Sequence, residues 1–182
     1  MFKALQILDE SNPILRKTAF PVKFPISKEE KKIIKDIIKH LKYSQIEEQC
    51  LKYSLRPGMG LAFPQVGILK RIIVVVHEFI ENEFVEYVIV NPKIVSHSLE
   101  QIAAFEGEGC LSVSREVEGH VLRYARITVE GFNQNGKKIT HRIRDEVAIA
   151  FQHEIDHLEG ILFWDKIDHE KPYYTDEEIR LI

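Results

Sequence analysis

The sequence predicts an α+β domain: mostly antiparallel β-sheets packed around a long C-terminal helix that bears an H-E-x-x-H motif. Two segments, 28–43 and 145–158, space their apolar residues at helical intervals. The middle of the chain instead carries short Val- and Ile-rich runs broken by turn residues. Few of these runs alternate with helices, which opposes a doubly wound parallel sheet.

Taken in order, residues 1–26 hold Pro13, Pro21 and Pro25, a density that disfavours helix and predicts an extended arm. Ser27 and Glu30 then form an S-x-x-E capping box. Ile33, Ile34, Ile37, Ile38 and Leu41 follow on one helical face, with lysines on the other, so a helix is expected over 28–43. Residues 44–57 read as a polar insertion, in which Ile46, Cys50 and Leu51 are spaced for one further helical stretch that Pro57-Gly58 ends. Arg71–His77 and Phe84–Val90 read as strands, Asn91-Pro92 as their punctuation, and Ile94–Ser98 as a short further strand. Arg126–Phe132 and Lys137–Arg144 flank Asn133-Gln134-Asn135-Gly136, a hairpin signal. Asp145 opens the second helix, which runs to about Leu158 with Gly160 as its stop. Near the end, Thr175–Glu178 fits either one capped helical turn or a terminal strand. No repeat or linker interrupts the chain, so one domain over 1–182 is expected.

Composition narrows the function classes. With 182 residues, 45% hydrophobic, 29% charged and a net charge of -3, the chain is globular rather than disordered. It lacks the basic excess of a nucleic-acid binder. The longest apolar run, Ile72–Val76, falls far short of the roughly 18 residues that span a bilayer. Met1–Glu10 shows no signal-peptide pattern, so a cytoplasmic location is expected. Two cysteines, Cys50 and Cys110, exclude a disulfide scaffold and favour a reducing compartment.

The chemistry concentrates in Gln152-His153-Glu154-Ile155-Asp156-His157. Four residues of helix turn through about 400°, so His153 and His157 lie one above the other and can share a divalent metal. Glu154 sits about 100° further round, near enough to reach a metal-bound water without ligating. An open catalytic site takes three protein ligands. Glu159 is too close to serve easily as the third, and His169 lies beyond Gly160. Upstream, Glu106-Gly107-Glu108-Gly109-Cys110-Leu111-Ser112 presents Cys110 from a glycine-rich turn, either as a thiolate ligand or as a small buried hydrophobe. The segment around Gly58 is neither a phosphate loop nor a dinucleotide fingerprint, since no Lys-Ser or Lys-Thr follows and Phe63 stands in place of the last glycine.

Three separated motifs together resemble the peptide deformylase family: Gly58-Met59-Gly60-Leu61-Ala62-Phe63-Pro64-Gln65, Glu108-Gly109-Cys110-Leu111-Ser112, and Gln152 to His157. Asn12-Pro13-Ile14-Leu15-Arg16 and Val90-Asn91-Pro92 extend the resemblance from about residue 5 to 166. The 44–57 insertion and Cys110–Val117 are similar to the second bacterial type. The resemblance implies that Cys110, His153 and His157 hold one divalent metal, ferrous iron in the cell, with zinc, nickel or cobalt in preparations. It implies that Glu154 moves the proton, and that the Gln65 side-chain amide and the Leu111 N–H stabilise the oxyanion. It further implies that Gly60, Met59 and Glu108 contact substrate, and that Arg123 pairs with Asp156 behind the ligands. The substrate implied is an N-formylmethionyl nascent peptide, met in the bacterial cytoplasm with transient ribosome contact and no nucleic-acid or membrane binding. Phe63 stands where the family usually has a small alanine, which leaves the shape of the adjacent pocket and the finer substrate preference open; Ser114 departs where many members have proline or aspartate. An H-E-x-x-H endopeptidase and a closed metal-binding protein are the competing readings.

Overall fold

Five consecutive apolar residues, Ile72 to Val76, leave a strand with no polar face, so it needs cover on both sides. The computed structural model, which describes residues 2–81, 83–175 and 177–182, provides that cover with two helices. In chain order the elements are α1 (Lys28–Gln45), α2 (Glu47–Tyr53), β1 (Gly60–Ala62), β2 (Ile72–Ile80), β3 (Glu83–His97), β4 (Gln101–Ala103), β5 (Arg123–Tyr124), β6 (Arg126–Phe132), β7 (Lys138–Arg144), α3 (Asp145–Leu158) and β8 (Arg180–Leu181). A five-stranded antiparallel sheet has the order β1-β2-β3-β6-β7. A three-stranded sheet has the order β5-β4-β8, in which β4 and β8 run parallel.

Successive residues of β2 point to opposite faces. Ile72, Val74 and Val76 pack with Leu61, Phe63 and Val90 against Ile34, Ile37 and Leu41 of α1. Ile73 and Val75 face the other way, with Ile89, Ile127, Val129 and Ile143, onto Ala148, Phe151 and Leu158 of α3. Burying each such side chain contributes roughly 1.5–3 kcal/mol, so the sandwich around β2 anchors α3 firmly.

The capping box of α1 is complete: Glu30 N–H donates to Ser27 Oγ at 3.1 Å, and Ser27 N–H donates to the Glu30 carboxylate at 2.6 Å. The helix runs two residues past the expected 43, and α2 supplies the further stretch expected within 44–57. The arm is non-helical apart from a 3-10 turn at Pro13–Arg16; Met1 lies outside the described residues. Its Leu8 N–H bonds Gln65 O at 2.8 Å and its Glu10 N–H bonds Ser112 O at 2.7 Å, so the arm braces two loops of the site.

Asn91-Pro92 behaves differently from its sequence reading. Instead of separating two strands it forms a bulge inside the continuous β3, where the register with β6 shifts between Val90 and Lys93. Asn91 adopts φ 53, which a short polar side chain tolerates, and its amide exchanges two hydrogen bonds with the backbone of Val22. A bulge also accommodates a proline, which has no N–H for the ladder. At the end of the chain, strand pairing occurs at Arg180–Leu181, while Ile179 N–H closes a turn onto Thr175 O. Asp176, within the Thr175–Glu178 expectation, lies outside the described residues. Among the described residues, no helix is long and apolar enough to cross a membrane.

Candidate metal centre

With Ala148, Phe151 and Leu158 committed to the core, the neighbouring stripe of α3 faces a cavity of about 600 Å³ that His153 and Glu154 help to line. His153 and His157 meet edge to face on this side of α3, with ring centroids 5.0 Å apart. The β4–β5 connection brings Cys110 to them, 3.3 Å from Sγ to His157 Nε2. One donor atom from each of Cys110, His153 and His157 lies within 4.8 Å of the others, and all three residues are buried.

This donor set fits a divalent cation. His153 turns Nδ1 to Glu108, at 2.8 Å, and so presents Nε2 to the shared space. A carboxylate on the outer nitrogen of a ligating imidazole fixes its tautomer and ring orientation. Burial, followed by the charge of His153, pushes His157 well below its ordinary value, which keeps its ring neutral as ligation requires. For His153, burial works the other way from its hydrogen bonds to Cys110 and Glu108, and those bonds win and raise it. Surroundings that hold a proton on His153 also favour a cation beside it.

Glu108 has both carboxylate oxygens engaged, by Arg123 at 2.7 and 2.9 Å and by His153. Glu108 borders the cavity, while its carboxylate is taken up by Arg123 and His153. Burial alone would raise its carboxyl, but the hydrogen bonds and charge of Arg123 hold it at about 2. Arg123, itself 2% exposed, also donates to Asp156 at 2.5 Å, so one guanidinium ties the Cys110 loop to α3.

Glu154 is 4% exposed and one of its oxygens has no partner. Burial pushes its carboxyl up to about 7, against the charge of His153. Gly60 makes room for it: a Cβ on Gly60 would lie 2.5 Å from Glu154 Oε1. Gly58 likewise sits on Leu111, where a Cβ would come within 2.8 Å of Cδ1. Gln65, in the 3-10 turn Phe63–Val66, accepts from Ala62 N–H at 2.8 Å through Oε1. Its Nε2 is thereby aimed at Ser112 Oγ, 3.1 Å, and at Cys110 Sγ, 3.7 Å.

Met59, Gly60, Gln65 and Leu111 all line the same cavity as Cys110 and His153. Sequence reasoning missed Ala104, Ile149, Ala150 and Ile182, which form its apolar walls. Apolar side chains on a helix or strand carry no local sign that they face a cavity; only the stripe Ile149–His153, four apart on α3, could have marked one of them. Phe63 does not shape this pocket: it is fully buried in the α1-side core, so that departure is absorbed by packing. Ser114 is exposed. Cys50 is half-buried and free, with Sγ 3.1 Å from Leu55 O.

Two imidazoles and a cysteine sulfur beside a buried glutamate with one unpartnered oxygen, at a cavity, define a metal-dependent hydrolase. The sequence model of the polypeptide deformylase family matches residues 4–173. The chain belongs to that family. It is 49% identical to peptide deformylase 2 of Geobacillus stearothermophilus over 174 residues, covering 95% of this chain and 94% of the relative. It is 47% identical to peptide deformylase 2 of Bacillus subtilis (strain 168) over 171 residues, covering 94% and 93%. Among solved structures, peptide deformylase from Thermus thermophilus superposes with a TM-score of 0.74 at 29% identity, covering 92% of this chain and 87% of that one. The number 2 in the names of both relatives agrees with the resemblance to the second bacterial type.

Proposed function

We propose that this chain is a deformylase that acts through Cys110, His153 and His157 as metal ligands and Glu154 as the proton carrier. The reaction is removal of the N-formyl group from the N-terminus of nascent polypeptides, with release of formate. The observation that carries the residue assignment is the convergence of the three buried donor atoms within 4.8 Å, next to the unpartnered Glu154 oxygen.

When bound, the divalent cation supplies an acidified water and polarises the formyl carbonyl. Glu154, with its carboxyl near 7, takes a proton at neutral pH and passes it to the leaving amine. The Gln65 Nε2–H and the Leu111 backbone N–H donate to the developing oxyanion. Gln65 is pre-aimed for this by its Oε1 bond to Ala62 N–H. β1, which contains Gly60, is an edge strand of its sheet, and this supports pairing of the extended peptide along it with the methionine side chain entering near Met59. Glu108, Arg123 and Asp156 hold the ligands from behind.

Mixed thiolate and imidazole donors suit zinc, and imidazole also suits iron, nickel and cobalt; ferrous iron is the assignment for the cell. The whole chain, 1–182, acts as one catalytic unit in the bacterial cytoplasm, meeting nascent chains in transient contact with the ribosome and binding neither nucleic acid nor membrane.

The test is formate release from a formyl-Met peptide by anaerobically purified, metal-loaded protein. Stoichiometric formate with no internal peptide cleavage is expected. Metal-bound protein that yields no formate above background overturns the reading. In the same assay Gly60→Ala should lower turnover on the order of 10²-fold at unchanged metal content, because its Cβ must displace Glu154 by a large fraction of an ångström.

A further inference from the structure

Arg56 closes the polar insertion, immediately before Pro57-Gly58, and it does not point idly into solvent. Its Nη2 donates to Val113 O at 2.8 Å and to Cys110 O at 3.1 Å, and its Nη1 reaches Leu111 O at 3.4 Å. One guanidinium thus gathers three carbonyls from the loop that carries Cys110. Arg56 also borders the cavity that contains His153 and Glu154.

The Cys110 carbonyl and the Leu111 N–H are the two ends of a single planar peptide group. A donor that fixes the oxygen end fixes where the N–H points. Hydrogen-bond chains also polarise their members, so a cationic donor on the carbonyl makes the opposite N–H a stronger donor. The Cys110 carbonyl additionally accepts from Val113 N–H at 3.1 Å, which closes the turn from within the loop. Arg56 adds the bond from outside the loop, and with it a formal charge.

We propose that Arg56 is a positioning residue for deformylation: it orients and polarises the Cys110–Leu111 peptide so that Leu111 N–H is preset toward the oxyanion. This rests on the assignment of Leu111 N–H as an oxyanion donor. It gives the 44–57 insertion a function, since the insertion places the guanidinium across the ligand loop. The bonds from Arg56 are made before substrate arrives, so their effect falls on the transition state rather than on peptide binding.

Arg56→Met keeps much of the apolar stem and removes the charge and all donors. In the zinc-loaded protein, kcat should fall about tenfold with KM within about twofold of wild type, a fraction of the loss expected for deleting an oxyanion donor outright. Arg56→Lys, with one charged donor group, should recover part of kcat. Arg115→Met removes a nearby surface charge that pairs with Glu10, and it should leave kcat unchanged. In ¹⁵N-labelled zinc-loaded protein, the Leu111 amide proton should move upfield in Arg56→Met while the resonances of α3 stay in place. An unchanged Leu111 resonance, a loss confined to KM, or an equal loss in Arg115→Met overturns the proposal. The amide resonance reads the proposal even if the wild-type protein releases no formate, a result that would overturn the deformylase reading instead.

Discussion

Glu154→Ala is expected to lower kcat by about 10²–10⁴ while the protein retains one metal per chain, measured by formate release and by elemental analysis of the same sample. The two halves of this result have separate causes. Glu154 is not among the three donors that converge, so removing it leaves the ligand set intact. In the proposed mechanism its free oxygen and its carboxyl near 7 serve proton transfer alone. A buried charged form is costly unless a cation accompanies it, so alanine at this position should not destabilise the fold. A melting temperature equal to or above that of wild type is expected for the metal-free variant. Loss of metal in Glu154→Ala would show instead that the glutamate ligates.

Cys110→Ala should lose most of its metal and, with it, activity. As a bound ligand Cys110 would be the one anionic donor of the three, and its Sγ sits 3.3 Å from His157 Nε2. Two imidazoles on α3 would remain, one turn apart, but two ligands do not make the three-ligand set of an open catalytic site. Dialysis against a weak chelator, followed by elemental analysis, measures the loss. Metal content equal to wild type would remove Cys110 from the site. The same thiolate makes the enzyme sensitive to oxidation, so activity of the wild type should decay in air and be protected anaerobically.

Much of this arrangement is legible in the sequence where the determinants are local. The Ser27–Glu30 box marks the start of α1, and the two histidines four apart announce a shared face on α3. The third donor is not local. Cys110 lies 47 residues before His157, and only the resemblance singled it out among the readings of a buried cysteine. Glu108 is harder still. Its partners Arg123 and His153 are 15 and 45 residues away, and nothing in the local pattern points to either. Strands β4, β5 and β8 span two or three residues each, too few for an alternation to register. Asn91-Pro92 carries the letters of a break, but the tertiary contact with Val22 turns it into a bulge.

The doubly covered β2 strand has a dynamic consequence. Amides from Ile73 to Val75 have neighbouring strands on both sides and helices above and below, so their deuterium uptake should require opening of the whole molecule. α3 is docked on that strand and should share its protection. The packing of α3 on β2 should therefore hold the geometry of His153 and His157 without an ion. A zinc finger falls apart when its ion is stripped; here the emptied protein should keep the two rings in register, ready to reload without refolding.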